Sequence, residues 1–200
     1  SGTFGLSAAF SCHPLKNFNA LGDGGFLLTD DDEIARKVRL YRNHGIESRD
    51  PITMFGVNSR LDTLNAEVLG FRLQRLKSII TRRQKNANLY RKLIETDFVS
   101  LPEESADNRT SDAYVMFLAQ VRNRDELKNY LAENNIETMV YYGTPLHLQK
   151  ASLRFGHKKG DFPVAEEVCD NVLALPINQY LTEDQIGFVA EKINQFYKNY

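Results

Sequence analysis

The order of apolar and helical segments predicts a fold of the α/β or α+β class. Short apolar runs of strand length alternate with patterns that place apolar side chains every three or four residues, and the alternation occurs in both halves of the chain. A sheet packed against helices is the usual outcome of such an order. The 200 residues are enough for one large domain or two small ones.

Two strands are predicted near the start of the chain. Residues 8–12 form a short apolar run that ends at His13 and Pro14, because proline cannot donate a hydrogen bond to a strand ladder. Residues 22–25 read Gly-Asp-Gly-Gly, which is a strong turn signal. Residues 26–29 are mostly apolar and are predicted to form a second, buried strand.

A helix is predicted at residues 31–43. Acidic residues crowd its start at positions 30–33, Arg39 and Arg42 lie near its end, and Gly45 follows as a terminating glycine. Acidic residues at the start and basic residues at the end both interact favourably with the helix dipole, so both ends support the predicted helix.

An irregular stretch and one long helix are predicted next. Residues 45–58 contain Pro51 and Gly56 and have no helical period. Residues 59–62 (Ser-Arg-Leu-Asp) resemble a capping box, and the helical period then continues to about Leu93.

The second half predicts further strands and helices after a polar connection at residues 98–110. The predicted elements are strands at 113–121 and 136–142, helices at 123–135 and 163–173, an extended stretch at 175–177, and a C-terminal helix that begins with the capping box at 182–185.

The charge balance bears on possible partners. Lys and Arg number 25 and Asp and Glu number 26, so the net charge is −1 and creates no overall field for nucleic acid or an anionic membrane. Residues 68–94 contain no acid and could present a basic helix to nucleic acid, but the balanced total favours a solvated helix face. No apolar run is long enough to span a bilayer. We therefore expect neither nucleic acid nor membrane as a partner.

The start of the chain and its cysteines bear on processing and location. The chain begins Ser-Gly-Thr-Phe-Gly, without an initiator Met or the features of a signal peptide, and reads like the middle of a protein. Cys12 and Cys169 are too few for a disulfide framework, so reduced thiols and a cytoplasmic location are expected.

Lys16 is the candidate reactive side chain. It follows the first predicted strand and lies near the turn at 22–25, where a side chain can be aimed into a pocket. Ser11, near the end of the same strand, can present a hydroxyl to an anionic group beside Lys16. Lysine serves as a nucleophile in enzymes when its surroundings favour the neutral amine, although a solvated surface lysine is the more common case.

The motifs around Lys16 resemble those of a known enzyme family. Ser-x-x-Pro-x-Lys-Asn at residues 11–17, followed by Gly-Asp-Gly-Gly, is similar to the lysine signature of the pyridoxal phosphate (PLP)-dependent sugar aminotransferases of the DegT/DnrJ/EryC1/StrS family. The resemblance continues through Arg-Asn-His-Gly at 42–45, Gly-Val-Asn-Ser-Arg-Leu-Asp at 56–62, Pro-Leu-His-Leu-Gln at 145–149 and Gly-Asp-Phe-Pro-Val-Ala at 160–165. It covers nearly the whole chain.

This resemblance implies roles for five residues. Lys16 would form the Schiff base with PLP and carry the proton during transamination, and Ser11 would bind the PLP phosphate. Asn58 would reach that phosphate from the neighbouring subunit of a homodimer, so that the active site is shared. Tyr142 and His147 lie in the segment that approaches the sugar substrate in this family. No metal is implied.

The resemblance also implies a fold, a domain organisation and a reaction. The fold would be the C-terminal part of a PLP-dependent transferase of fold type I. Residues 1–60 would end the large α/β domain, residues 61–95 would form a connecting helix, and residues 96–200 would form a small α+β domain. The reaction would move an amino group from an amino acid, glutamate by family resemblance, to a keto-sugar that is commonly nucleotide-linked, in amino-sugar or surface-glycan biosynthesis.

Part of the family's site precedes the lysine in sequence, including the aspartate that binds the pyridine nitrogen. Residues 1–15 contain no Asp or Glu. We therefore expect the chain to be the C-terminal half of such an enzyme and to be inactive alone. The alternative is a non-catalytic folding or dimerisation module derived from the same family.

Overall fold

A computed structural model describes residues 2–48, 51–104 and 110–198. The chain divides into two units, Ser1–Lys77 and Ser78–Tyr200, each of which contains helices and an antiparallel sheet. The predicted class of mixed helix and sheet is confirmed. The three domain ranges implied by the family resemblance stay a prediction.

The first unit begins with a two-stranded antiparallel sheet formed by β1 (Ala8–Ser11) and β2 (Gly25–Leu28). Ser11 pairs with Gly25, where a Cβ atom would lie 2.5 Å from the carbonyl oxygen of Phe10, so the ladder requires glycine at this position. Both strands were predicted. The predicted burial of the second strand is wrong, because every residue of β2 is exposed: within the described residues the sheet has only these two strands.

Helix α1 (Asp32–Tyr41) confirms the prediction at 31–43. The Asp31 carboxylate caps it by accepting hydrogen bonds from the backbone N–H groups of Glu33 at 2.8 Å and Ile34 at 2.9 Å. Lys37 and Glu33 form an ion pair at 2.7 Å one turn apart. A local sequence signal therefore determines the start of this helix.

The predicted irregular stretch folds back on itself between two isolated bridges, Asn43 to Asn58 and Ile46 to Ile52. Gly45 has φ +73°, and a Cβ atom there would lie 1.6 Å from the carbonyl oxygen of Met54. Only glycine fits this position, both for its backbone conformation and for its space.

The prediction of a single long helix after this stretch is wrong in the number of helices and in how the first one begins. The chain instead forms α2 (Thr63–Leu73) and α3 (Leu76–Leu93). Asp62, still extended at φ −62° and ψ 142°, occupies the N-cap position, so the capping box predicted at 59–62 does not form. After α2 the amide of Arg75 bonds to the carbonyl of Arg72, and this tighter i→i−3 turn ends the helix without glycine or proline.

The second unit is built on a three-stranded antiparallel sheet in the order β3 (Val99–Ser100), β4 (Phe117–Val121) and β5 (Val172–Leu175). β4 lies within the predicted strand at 113–121. β3 lies in the predicted polar connection, of which residues 105–109 fall outside the described part.

Besides α3, which contributes Ala87 and Tyr90 to the core, three further helices pack with this sheet: α4 (Arg124–Glu133), α5 (Pro163–Asn171) and α6 (Glu183–Lys198). All three were predicted, although the backbone turns to β5 at Val172, before the predicted end of α5. Two 3₁₀ segments, Leu146–Leu148 and Lys150–Phe155, precede α5. The core consists of Ala87, Tyr90, Val99, Phe117, Ala119, Val121, Leu127, Leu131, Ile136, Leu173, Leu175, Ile186, Val189, Ile193 and Tyr197.

Two local signals in this unit have different outcomes. The capping box of α6 is confirmed, because Gln185 N–H donates to Thr182 Oγ1 at 3.2 Å and Thr182 N–H donates to Gln185 Oε1 at 3.0 Å. The strand predicted at 136–142 is wrong. Ile136 N–H bonds to the carbonyl of Leu131 and closes α4, and only Met139 then pairs with a strand.

Among the helices of the described residues, none combines the length and the apolar character needed to cross a membrane.

Candidate functional site

The loop that carries Lys16 is closed at its base by the backbone of Cys12. Cys12 N–H donates to the carbonyl of Gly24 at 2.7 Å, and the Cys12 carbonyl accepts from Ala20 N–H at 2.8 Å. Residues 13–19 therefore form a loop whose two ends are joined. The Cys12 side chain is fully buried, and burial raises the pKa of its thiol, so this cysteine is a packing residue at neutral pH.

Within the loop, hydrogen bonds connect Ser11 to Lys16 through His13. The His13 N–H donates to Ser11 Oγ at 3.3 Å, and the His13 carbonyl accepts from Lys16 N–H at 2.8 Å. His13 Nδ1 also accepts from Leu15 N–H at 3.2 Å. Ser11 is exposed and Lys16 is half-buried. The structure thus links two of the three residues predicted to bind the cofactor, one at the end of β1 and one on the loop that follows it.

Helix α2 supports this loop from the other side. Arg72 Nη1 donates to the Asn19 carbonyl at 2.5 Å and to Asn19 Oδ1 at 2.9 Å, and Asn19 Nδ2 donates to the Pro14 carbonyl at 2.7 Å. Asn65 Oδ1 accepts from Leu21 N–H at 3.1 Å. The contacts of Arg72 and Asn65 join residues more than forty positions apart, so no local pattern in the sequence marks them.

Asn58 lies in the same unit but on a different segment. Its backbone pairs with Asn43, and its Oδ1 accepts from Arg60 Nε at 3.0 Å. The side chain is exposed. Within the described part of the chain no hydrogen bond joins Asn58 to Ser11 or Lys16, so its predicted role at the phosphate stays a prediction.

The other two candidates, Tyr142 and His147, lie in the second unit. Tyr142 is 69% exposed, and its ring lies against that of Tyr141 with 5.5 Å between the ring centres. His147 is nearly buried: its Nε2 lies 2.9 Å from Glu166 Oε1, and only 8% of the His147 side chain and 12% of the Glu166 side chain are exposed. Their predicted contact with substrate stays a prediction.

Glu166, which no sequence motif indicated, joins His147 to the backbone at Gly160. Its carboxylate accepts from Gly160 N–H at 2.7 and 3.0 Å as well as from His147. Burial opposes ionisation of Glu166, but the hydrogen bonds from Gly160, His147 and Phe162 outweigh it and hold the pKa of the carboxyl below its ordinary value. Over the described residues, no three His, Cys, Asp or Glu side chains come together as a metal site.

Solved structures share this fold. DesV of S. venezuelae, in complex with a ketimine intermediate, superposes with a TM-score of 0.90 at 34% identity, over 96% of this chain and 52% of DesV. A DegT DnrJ EryC1 StrS aminotransferase from Brucella abortus superposes with a TM-score of 0.89 at 35% identity, over 98% of this chain and 52% of that one.

The shared fold defines the class of this chain as about half of a PLP-dependent transferase of fold type I. The model of the DegT/DnrJ/EryC1/StrS aminotransferase family matches residues 1–194, and the chain belongs to that family. The fold and family expected from the motifs are confirmed.

Curated relatives match nearly the whole of this chain. The "Pleiotropic regulatory protein" of Geobacillus stearothermophilus is 39% identical over the whole of this chain and 54% of its own length. The dTDP-3-amino-3,6-dideoxy-alpha-D-galactopyranose transaminase of Aneurinibacillus thermoaerophilus is 35% identical over 98% of this chain and 53% of its own length. The chain spans about half the length of the curated relatives it matches.

Proposed function

We propose that this chain supplies the lysine-bearing part of a PLP-dependent sugar aminotransferase. The reaction would move an amino group from an amino acid, glutamate by family resemblance, to a nucleotide-linked keto-sugar during amino-sugar or surface-glycan biosynthesis. The observation that carries the proposal is the pair of hydrogen bonds that link the Ser11 hydroxyl to the Lys16 backbone through His13, in a chain of this family.

The side chains of this loop fit a cofactor that has an aldehyde and a phosphate. The Lys16 amine can bond to an aldehyde carbon with loss of water. Ser11 Oγ already accepts the His13 N–H, so its hydroxyl hydrogen is left to donate to a phosphate oxygen. The loop therefore offers one covalent attachment and one hydrogen bond, five positions apart in sequence.

PLP when bound supplies the electron sink that makes the Cα–H of an amino donor acidic. Lys16 Nζ would then be the base that takes this proton, which requires its neutral amine beside the donor. The hydrogen bond from Lys16 N–H to the His13 carbonyl fixes the backbone from which the amine extends, and positioning of this kind lowers the entropy lost at the reaction step.

The remaining candidates complete the proposal. Asn58 would reach the phosphate from the second subunit of a homodimer, which suits its exposed side chain. Tyr142 would contact the sugar through its exposed ring, and His147 would shape the same region through its bond to Glu166. The two free cysteines suit a reducing cytoplasm as the location of the reaction.

Cofactor attachment is tested by trapping. The chain is mixed with PLP and reduced with borohydride, and the modified lysine is identified by mass spectrometry of the digested protein. We expect the adduct on Lys16, its loss in Lys16→Ala, and its retention in Lys198→Ala, where an exposed lysine is removed. Equal labelling of the exposed lysines would refute attachment at Lys16 and favour the non-catalytic module.

A further inference from the structure

We propose that His13 is a positioning residue for Lys16. The inference rests on the proposed function, since Lys16 is the group that would bind PLP. It adds a residue whose imidazole fixes the backbone of the loop without contacting cofactor or substrate.

Three hydrogen bonds of the loop meet at His13. Its N–H donates to Ser11 Oγ at 3.3 Å, its carbonyl accepts from Lys16 N–H at 2.8 Å, and its Nδ1 accepts from Leu15 N–H at 3.2 Å. The first two use the backbone and would survive many substitutions. The third needs an acceptor on the side chain, so it is the contribution of the histidine itself.

The neighbouring residue makes this side-chain acceptor important. Pro14 has no N–H, so the amide of Leu15 is the first donor after His13 that can tie the loop to its own start. Fixing Leu15 also fixes the adjacent Lys16, whose amide already bonds to His13. His13 bonds to both Ser11 and Lys16, so this one residue sets the distance from the Lys16 backbone to the Ser11 hydroxyl.

The His13 ring must be in one tautomer to accept the Leu15 N–H. Nδ1 accepts a hydrogen bond and therefore carries no hydrogen, which leaves the hydrogen on Nε2. Nε2 lies 3.9 Å from Asp23 Oδ1, and the carboxylate favours a hydrogen on that side of the ring. Both side chains are largely exposed, at 47% for His13 and 95% for Asp23, so this contact contributes little stability by itself.

Two substitutions separate the acceptor from the rest of the imidazole. Asparagine at position 13 can accept the amide two residues ahead through its Oδ1, as in an Asx turn, whereas alanine cannot. His13→Asn should therefore retain the loop and His13→Ala should loosen it. His157→Ala is the matched control, because His157 is exposed to a similar degree, at 44%, and also faces an aspartate, Asp161 at 3.5 Å.

The experiment measures PLP trapping at Lys16 with borohydride in the full chain and its variants, relative to trapping at Lys198. Amide hydrogen exchange at Leu15 and Lys16 is followed in parallel. The loss of one hydrogen bond predicts that His13→Ala traps about two- to tenfold more slowly at Lys16 and exchanges faster by a similar factor. His13→Asn, Asp23→Asn and His157→Ala should each stay within about twofold of the unmodified chain.

Each outcome bears on a different claim. Trapping in the unmodified chain that is no faster at Lys16 than at Lys198 overturns the proposed function, and the positioning role with it. Selective trapping that His13→Ala leaves unchanged overturns the positioning role alone. A loss in His13→Asn as large as that in His13→Ala shows that ring packing, and not the Nδ1 acceptor, is what matters, and also refutes the proposal.

Discussion

Tyr90 provides a test of how much one buried hydrogen bond contributes to the stability of the second unit. The side chain is fully buried, its ring stacks on Phe117 with 5.5 Å between ring centres, and its hydroxyl donates to the Pro176 carbonyl at 2.9 Å. Tyr90→Phe keeps the ring and removes only the hydrogen bond. Losing this bond and leaving a partly buried acceptor unpaired should lower the free energy of unfolding by about 1.5–2 kcal/mol.

The same variant has a predicted dependence on pH. Burial raises the pKa of Tyr90 well above its ordinary value. Above pH ~10 the unfolded chain loses the phenol proton while the folded chain keeps it, so stability from this group is present below that pH and falls as pH rises. At pH 10.5 the loss is about 0.8 kcal/mol, and the difference between Tyr90→Phe and the unmodified chain should shrink to about 1 kcal/mol.

Urea unfolding followed by far-ultraviolet circular dichroism measures both effects, since the chain has no tryptophan for fluorescence. Tyr130→Phe is the control: its ring packs on Phe196, and among the described residues its hydroxyl makes no hydrogen bond. We expect less than about 0.5 kcal/mol from it. Equal stability of Tyr90→Phe and the unmodified chain at neutral pH would refute the hydrogen-bond argument. A difference that is the same at pH 7 and 10.5 would refute the burial argument.

Three other variants test separate features. Gly45→Ala should destabilise the first unit by about 2 kcal/mol or more in urea unfolding, because its positive φ and the Met54 carbonyl exclude a Cβ, whereas Gly22→Ala, with open space around it, should be nearly neutral. Thr182→Ala should lower stability by about 1 kcal/mol in the same assay through loss of the α6 cap; a neutral result would mean that the capping box is dispensable. Glu166→Gln should be less stable than the unmodified chain at neutral pH. Because the folded pKa of Glu166 is lowered, thermal melts should show the two converging as pH falls through that pKa, and a constant difference would contradict the assignment.

Local signals made much of the fold predictable. The Asp31 cap and the Thr182–Gln185 capping box each join residues no more than three apart, so the sequence shows both partners at once. The motif around Lys16 likewise identified Ser11 and Lys16 as neighbours. The turn that ends α2, from Arg72 to Arg75, has no such mark, because an i→i−3 turn can follow any ordinary residue.

Contacts between distant residues could not be predicted. Arg72 holds Asn19 across 53 positions, and Glu166 holds His147 across 19. An arginine or glutamate on a helix reads as a solvated side chain unless its partner is known. Burial also depends on residues that are distant in sequence. The apolar run of β2 predicts an interior strand, but elements elsewhere in the chain decide whether a strand is covered.

The exposed hairpin of β1 and β2 has a practical consequence for handling the chain. Two paired strands without further partners are marginally stable in water. Among the described residues both outer edges are open, and Phe26, Leu27 and Leu28 place consecutive apolar side chains on one of them. Such an edge is a template for intermolecular strand pairing. Expression at high concentration should therefore favour aggregation that begins at β2, and a lysine in place of Leu27 should raise the yield of monomer.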